Sequence, residues 1–210
     1  MTDDAYPPGR KWLAIGLLSL CEVMALALWF SATAIMPSPR AEFSFSDGHA
    51  ALLISSVAVG FVCGTLASAI FGLPDRVQPC RLFMLSAITA AAANAATLVI
   101  DPASFGIIAL RFVTGACMAG LYPVGMKMAA TWARKYTGLL VGLLVGALTV
   151  DSVFPNLFDA AGGVEWRFTL IVACVLALGA GLLINFVTLG PNLAMRSRFE
   201  PGVVLMVWRN

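Results

Sequence analysis

Three charged side chains stand where charge is expensive. Glu22, Arg111 and Asp151 each lie inside an apolar run long enough to cross a bilayer. At the centre of such a helix a charge costs about 2.5 kcal/mol or more, so its retention points to a task. The tasks that fit are carrying a proton, holding a charged ligand, or pairing with a buried opposite charge. At 1.5 Å per residue Glu22 lies about 15 Å along its run, close to mid-membrane. Arg111 lies about 10 Å from the start of its run and Asp151 about 21 Å along its own, which puts the two at one depth if the runs alternate in direction. They can therefore form a buried ion pair locking two helices, and Glu22 can simply be tucked among small residues. Spacing supplies neighbours: Glu22, Trp29 and Thr33 fall at i, i+7 and i+11 on one helical face. Arg111, Gly115, Met118 and Tyr122 fall at i, i+4, i+7 and i+11 on another. Such stripes either line a cavity or pack between helices.

The elements that hold these residues follow from composition. The chain has 210 residues, 60% hydrophobic and 11% charged, with a mean hydropathy of +0.91 and a net charge of +2. A soluble domain of this size has no core large enough for so much apolar surface. That excludes an ordinary soluble domain, a disordered chain and a nucleic-acid binder. Six apolar segments run over residues 12–36, 50–73, 82–100, 104–126, 137–158 and 166–189. Each can cross about 30 Å of hydrocarbon, so the expected fold is all-α, a polytopic membrane protein with six transmembrane helices. Breakers separate them: Pro37 and Pro39, Pro74 and Pro79, Asp101-Pro102, Gly162-Gly163 and Gly190-Pro191. The first segment is too long for the apolar region of a cleaved signal, so it is read as a retained helix.

Lysine and arginine set the orientation. With the N-terminus inside, inner segments hold ten (Arg10, Lys11, Arg76, Arg81, Lys127, Arg134, Lys135, Arg196, Arg198, Arg209) and outer loops hold two, Arg40 and Arg167. Both termini are expected in the cytoplasm and the chain in the plasma (inner) membrane. Residues 1–11 then form a cytoplasmic segment and 12–190 the transmembrane domain. Residues 191–210 form a tail or the start of a longer linker.

The loop Phe71-Gly72-Leu73-Pro74-Asp75-Arg76-Val77-Gln78-Pro79-Cys80-Arg81 resembles the signature of the major facilitator superfamily, roughly G-x-L-x-D-R-x-G-R-[RK]. Leu73, Asp75 and Arg76 match in place; Gly72 is one residue late, Gln78 replaces the second glycine, and Arg81 stands for the basic pair. Arg111-Phe112-Val113-Thr114-Gly115 is similar to the family's R-x-x-x-G in the fourth helix. Gly163-Val164-Glu165-Trp166-Arg167-Phe168 is similar to the G-x-W-R-x-x-F that opens its sixth. Residues 12–190 thus resemble the N-terminal half of a twelve-helix transporter, which implies two inverted three-helix repeats. By eye, residues 12–100 and 104–189 share no convincing identity. The Gly-Pro signature of drug antiporters is absent from the fifth segment, where Gly138, Gly142 and Gly146 stand, and so is the Gly-Asn-rich signature of nitrate porters.

The resemblance implies a transporter that moves a small solute by alternating access, coupled to protons. Glu22, Arg111, Asp151, Trp29 and Tyr122 would line the substrate and proton pathway. Glu22 would carry the proton, and Arg111 would bind substrate or tune that carboxylate. Asp75, Arg76 and Arg81, with Arg134, would form the cytoplasmic gate. Their plainer role is to set topology. The expected partners are the lipid bilayer, a small-molecule solute, and either a second six-helix half or a second copy in a parallel homodimer. A non-transporting half or membrane assembly subunit is the alternative.

Other residues are expected to pack. Gly60-x-x-x-Gly64 and the Gly138/Gly142/Gly146 ladder allow close helix approach. Asn94 and Asn185 are expected to bond to neighbouring helices, and Pro123 and Pro155 to permit bending. His49, the single histidine, is expected to be solvated in the first outer loop. The five cysteines do not suggest a disulfide framework. With no metal-ligand cluster, phosphate loop or nucleophile constellation, neither an enzyme nor a cofactor is expected.

Overall fold

In a bilayer every backbone N–H and C=O must be answered within the protein, and a helix does this by itself. The computed structural model describes residues 8–35, 47–101, 104–132 and 166–191, with Gly142 and Gly146, and those residues are helical apart from turns and short links. In chain order they form α1 (Pro8–Ile35), α2 (Asp47–Phe71), α3 (Leu73–Arg76), α4 (Pro79–Ala96), α5 (Phe105–Met118), α6 (Tyr122–Ala130) and α7 (Trp166–Leu183). A 3-10 turn, Ile184–Phe186, ends the last.

Four stretches are long and apolar enough to cross a membrane: Gly9–Trp29, Gly48–Phe71, Phe105–Ala130 and Trp166–Phe186. Their outer faces are greasy; on α2, Leu52, Ile54, Val59, Val62, Leu66 and Ile70 are all exposed. Such a face would be a liability in water and is the natural surface toward lipid. The chain is a multi-pass membrane protein. Of the two remaining expected spans, 82–100 corresponds to the 18-residue α4, which ends at Ala96. The segment 137–158 lies outside the described residues, apart from Gly142 and Gly146.

Several boundaries differ from the sequence reading; α2 and α4 each start three residues earlier than their runs, at Asp47 and Pro79. α1 starts at Pro8, not at residue 12, because a proline at the first turn lacks only an N–H that would be unused there. The fourth segment is two helices. Between Met118 and Tyr122 the N–H groups of Ala119, Gly120 and Leu121 turn to carbonyls three residues back, at 3.3, 2.9 and 3.1 Å. Pro123 is the cause, since its ring excludes a regular helix over the preceding turn. The sixth segment leaves helical geometry after Phe186 rather than at 189. His49 also differs from expectation, for it lies in the first turn of α2, partly buried, with its ring edge-on to Phe105 at 6.0 Å.

α1 packs on α7, α2 on α5, and α4 on both α5 and α7. The core between them is built of small and medium side chains: Leu18, Cys21 and Ala25 on α1, Phe83, Ala87 and Ala91 on α4, Ala173, Ala177 and Ala180 on α7. Close approach is tightest between α2 and α5. A Cβ on Gly60 or Gly64 would run into the backbone of Phe112 or Ala116, and one on Gly115 into the backbone of Val57. The expected packing motif is therefore reciprocal, with glycines on both helices. Gly72 has φ 60, a left-handed conformation open to glycine, and it closes α2 while its carbonyl accepts from the N–H groups of Asp75 and Arg76, both at 3.1 Å.

Candidate functional site

Glu22 is 1% exposed, in the middle of α1. Neither carboxylate oxygen has a hydrogen-bond partner among the described residues. The carboxylate is seated against Gly125 of α6. A Cβ there would overlap Oε1 and come within 2.6 Å of the carboxylate carbon, so any other residue would evict the acid from its seat. The sequence reading found the acid but not its seat. A glycine in a small-residue helix has no distinguishing neighbour pattern until the facing helix is known.

Arg111 is 2% exposed and reaches back to α1 at another level. Its Nη1 donates to Ser31 Oγ at 3.0 Å. Ser31 donates to the Leu28 carbonyl at 2.7 Å and lies 3.2 Å from Asn94 Oδ1. Asn94 Nδ2 faces Cys174 Sγ at 3.2 Å and the Leu170 carbonyl at 3.4 Å, and the Cys174 thiol donates to the Ala91 carbonyl at 3.4 Å. One polar chain thus ties α5, α1, α4 and α7 together inside an apolar core. Arg111 Nη2 is left without a partner among the described residues. Ser31 stands nine residues beyond Glu22 on α1, about 14 Å of helix rise, so the two charges are not in contact. Asp151, the other expected partner of Arg111, lies outside the described residues.

Trp29 is half-buried and stacks edge-on against Phe61 of α2, with ring centroids 5.5 Å apart. Tyr122 opens α6 and packs against the central core. On the expected stripe of the fourth segment, Gly115 meets α2 and Met118 joins the core. Asn94 bonds across helices as expected. Asn185 donates to Gly181 and Leu182 of its own helix, both at 3.2 Å, and contacts Met84 Sδ at 3.4 Å.

At the end of the bundle that holds the α2–α4 link, Asp75 forms an ion pair with Lys127 of α6, whose Nζ also donates to the Pro74 carbonyl at 2.8 Å. The sequence reading had counted Lys127 only toward topology. Arg76 and Arg81 are exposed, and Arg134 lies outside the described residues. At the same end the Trp132 indole donates to the Thr188 carbonyl at 3.1 Å, and the Gly190 N–H donates to Thr131 Oγ1 at 2.7 Å. α6 is thereby tied both to the link and to the chain after α7.

Comparison with known proteins places the chain in a family. The family model described as Major Facilitator Superfamily matches residues 18–204, and the chain belongs to that family. A rice (Oryza sativa subsp. japonica) protein described as probable high-affinity nitrate transporter 2.4 is 27% identical over 169 residues. The match takes in 74% of this chain, which spans 34% of that relative's length.

Proposed function

We propose that this member of the major facilitator superfamily serves to move a small anion across a membrane by alternating access, with a proton carried on Glu22. The observation that carries the reading is the seat of Glu22: a carboxylate shut from solvent, unpartnered among the described residues, and opposed by a glycine on the broken fourth segment. A buried acid of this kind can take up and release a proton as access alternates. Arg111, buried with its Nη2 unpartnered among the described residues, supplies a positive group suited to an anion, and the nitrate relative supports the same substrate class.

The helix pairing supports two inverted repeats. Exchanging the first three segments with the last three turns the α1–α7 contact into the α5–α4 contact and returns α4–α7 to itself, and all three contacts are present. The bias of ten basic residues to two supports cytoplasmic termini in the plasma membrane. A second six-helix half, or a second copy in parallel, would complete the cavity.

Reconstitution tests the reading. Proteoliposomes with an inward proton gradient should accumulate nitrate or another small anion from a panel, and collapse of the gradient should abolish the accumulation. Failure to move any anion in either condition contradicts it.

A further inference from the structure

Hydroxyls on these helices turn back on their own backbone. Ser31, Ser55, Ser56, Thr89, Thr97, Thr114 and Thr131 each donate to a carbonyl three or four residues earlier. Three do not, Ser19, Thr65 and Ser104, and of these Ser19 is the one on α1: its Oγ is closed off from solvent and has no partner among the described residues, although its helix offers the Ile15 carbonyl. Ser19 stands one turn before Glu22, where side chains three apart are neighbours. Ser19 Oγ and the two Glu22 oxygens therefore make three oxygens on one part of α1 that are unpartnered among the described residues.

A buried carboxylate must be neutralised or paired. Among the described residues, the cations on the helices packed against α1 are Arg111, whose Nη1 is held by Ser31 and whose Nη2 has no partner there, Lys127, paired with Asp75, Arg167, which lies over Trp166, and the exposed Arg81. The other titratable groups of the core around α1 are the thiols of Cys21, Cys80, Cys117 and Cys174 and the phenol of Tyr122. Hard oxygen donors carrying one negative charge suit a small monovalent cation, whereas a divalent or transition metal calls for more carboxylates or for nitrogen and sulfur. No group of three or more His, Cys, Asp or Glu occurs among the described residues.

We propose that Ser19 and Glu22 form a monovalent-cation site that takes Na+ in competition with a proton. The proposal deepens the reading of Glu22 as the coupling carboxylate and rests on it. Ser19 supplies the neutral oxygen and Glu22 the charge, and Gly125 leaves the carboxylate its room.

The test is equilibrium binding. The full chain in mild detergent is melted by tryptophan fluorescence in NaCl and in equimolar choline chloride, from pH 6 to 9. Na+ should raise Tm over choline at alkaline pH, and its half-saturating concentration should climb by about tenfold per pH unit once protons compete. Ser19→Ala should raise that concentration about tenfold through loss of one oxygen ligand, and Glu22→Gln should abolish the shift. Equal melting in Na+ and choline throughout, an undiminished shift in Glu22→Gln, or an unchanged midpoint in Ser19→Ala overturns the site. The wild-type and Ser19→Ala titrations decide the matter even if Glu22→Gln does not fold. No substrate is needed, so a chain that moves no anion still tests the site, while a transporter driven by protons alone keeps its flux and fails here.

Discussion

Gly125 gives the acid of α1 its position, because the carboxylate of Glu22 occupies the volume a side chain would need. Gly125→Ala should therefore cost about 1–3 kcal/mol through overpacking and lower Tm, with proton-driven uptake falling further than counterflow. Gly16→Ala on the same bundle is the control, since a Cβ there meets nothing within 4 Å. A second pair is testable by difference. Asp75 and Lys127 are 25% and 28% exposed, so their coupling in a double-mutant cycle of Asp75→Asn and Lys127→Gln should be about 0.5–1 kcal/mol. Zero coupling, with transport unchanged in both single variants, would leave Asp75 only a role in the turn. Glu22 and Arg111 were legible in the sequence because a charge in an apolar run is conspicuous at a single position. Gly125, Ser31 and Lys127 were not, because each matters only through a contact with another helix.

The fourth segment shows how one residue reorganises an element. Hydropathy marks a single run over 104–126, apolar but for Arg111 and a few small polar residues, yet Pro123 divides it into α5 and α6. Periodicity sees the run and not the break, since the turn at 119–121 keeps its side chains buried. Pro123→Ala restores the missing N–H and should join the two helices, raising Tm while slowing uptake if α6 moves as a unit. Faster or unchanged uptake would count against that motion. The α2–α5 interface is less forgiving. A Cβ on Gly60 or Gly64 meets backbone, which has no rotamer to yield. Gly60→Leu or Gly64→Leu should cost about 1–3 kcal/mol or more and reduce the folded yield in membranes, whereas Gly48→Ala, with open space around it, should not.

Across the molecule, the all-helical architecture and the family were legible because membrane spans and loop signatures are local patterns, and the family match over residues 18–204 agrees with them. Helix pairing was not, since contacts such as α1 with α7 join segments far apart in the sequence. The polar chain from Arg111 to Cys174 and the seat of Glu22 divide the labour along α1: one locks four helices, the other holds an acid unpartnered among the described residues. The proposed proton coupling rests on that acid. Glu22→Gln is nearly isosteric, keeps the seat at Gly125 and removes only the titratable charge. Accumulation of anion against a gradient should be lost in this variant while counterflow exchange continues at close to the wild-type rate. Normal proton-driven accumulation by Glu22→Gln would contradict the account.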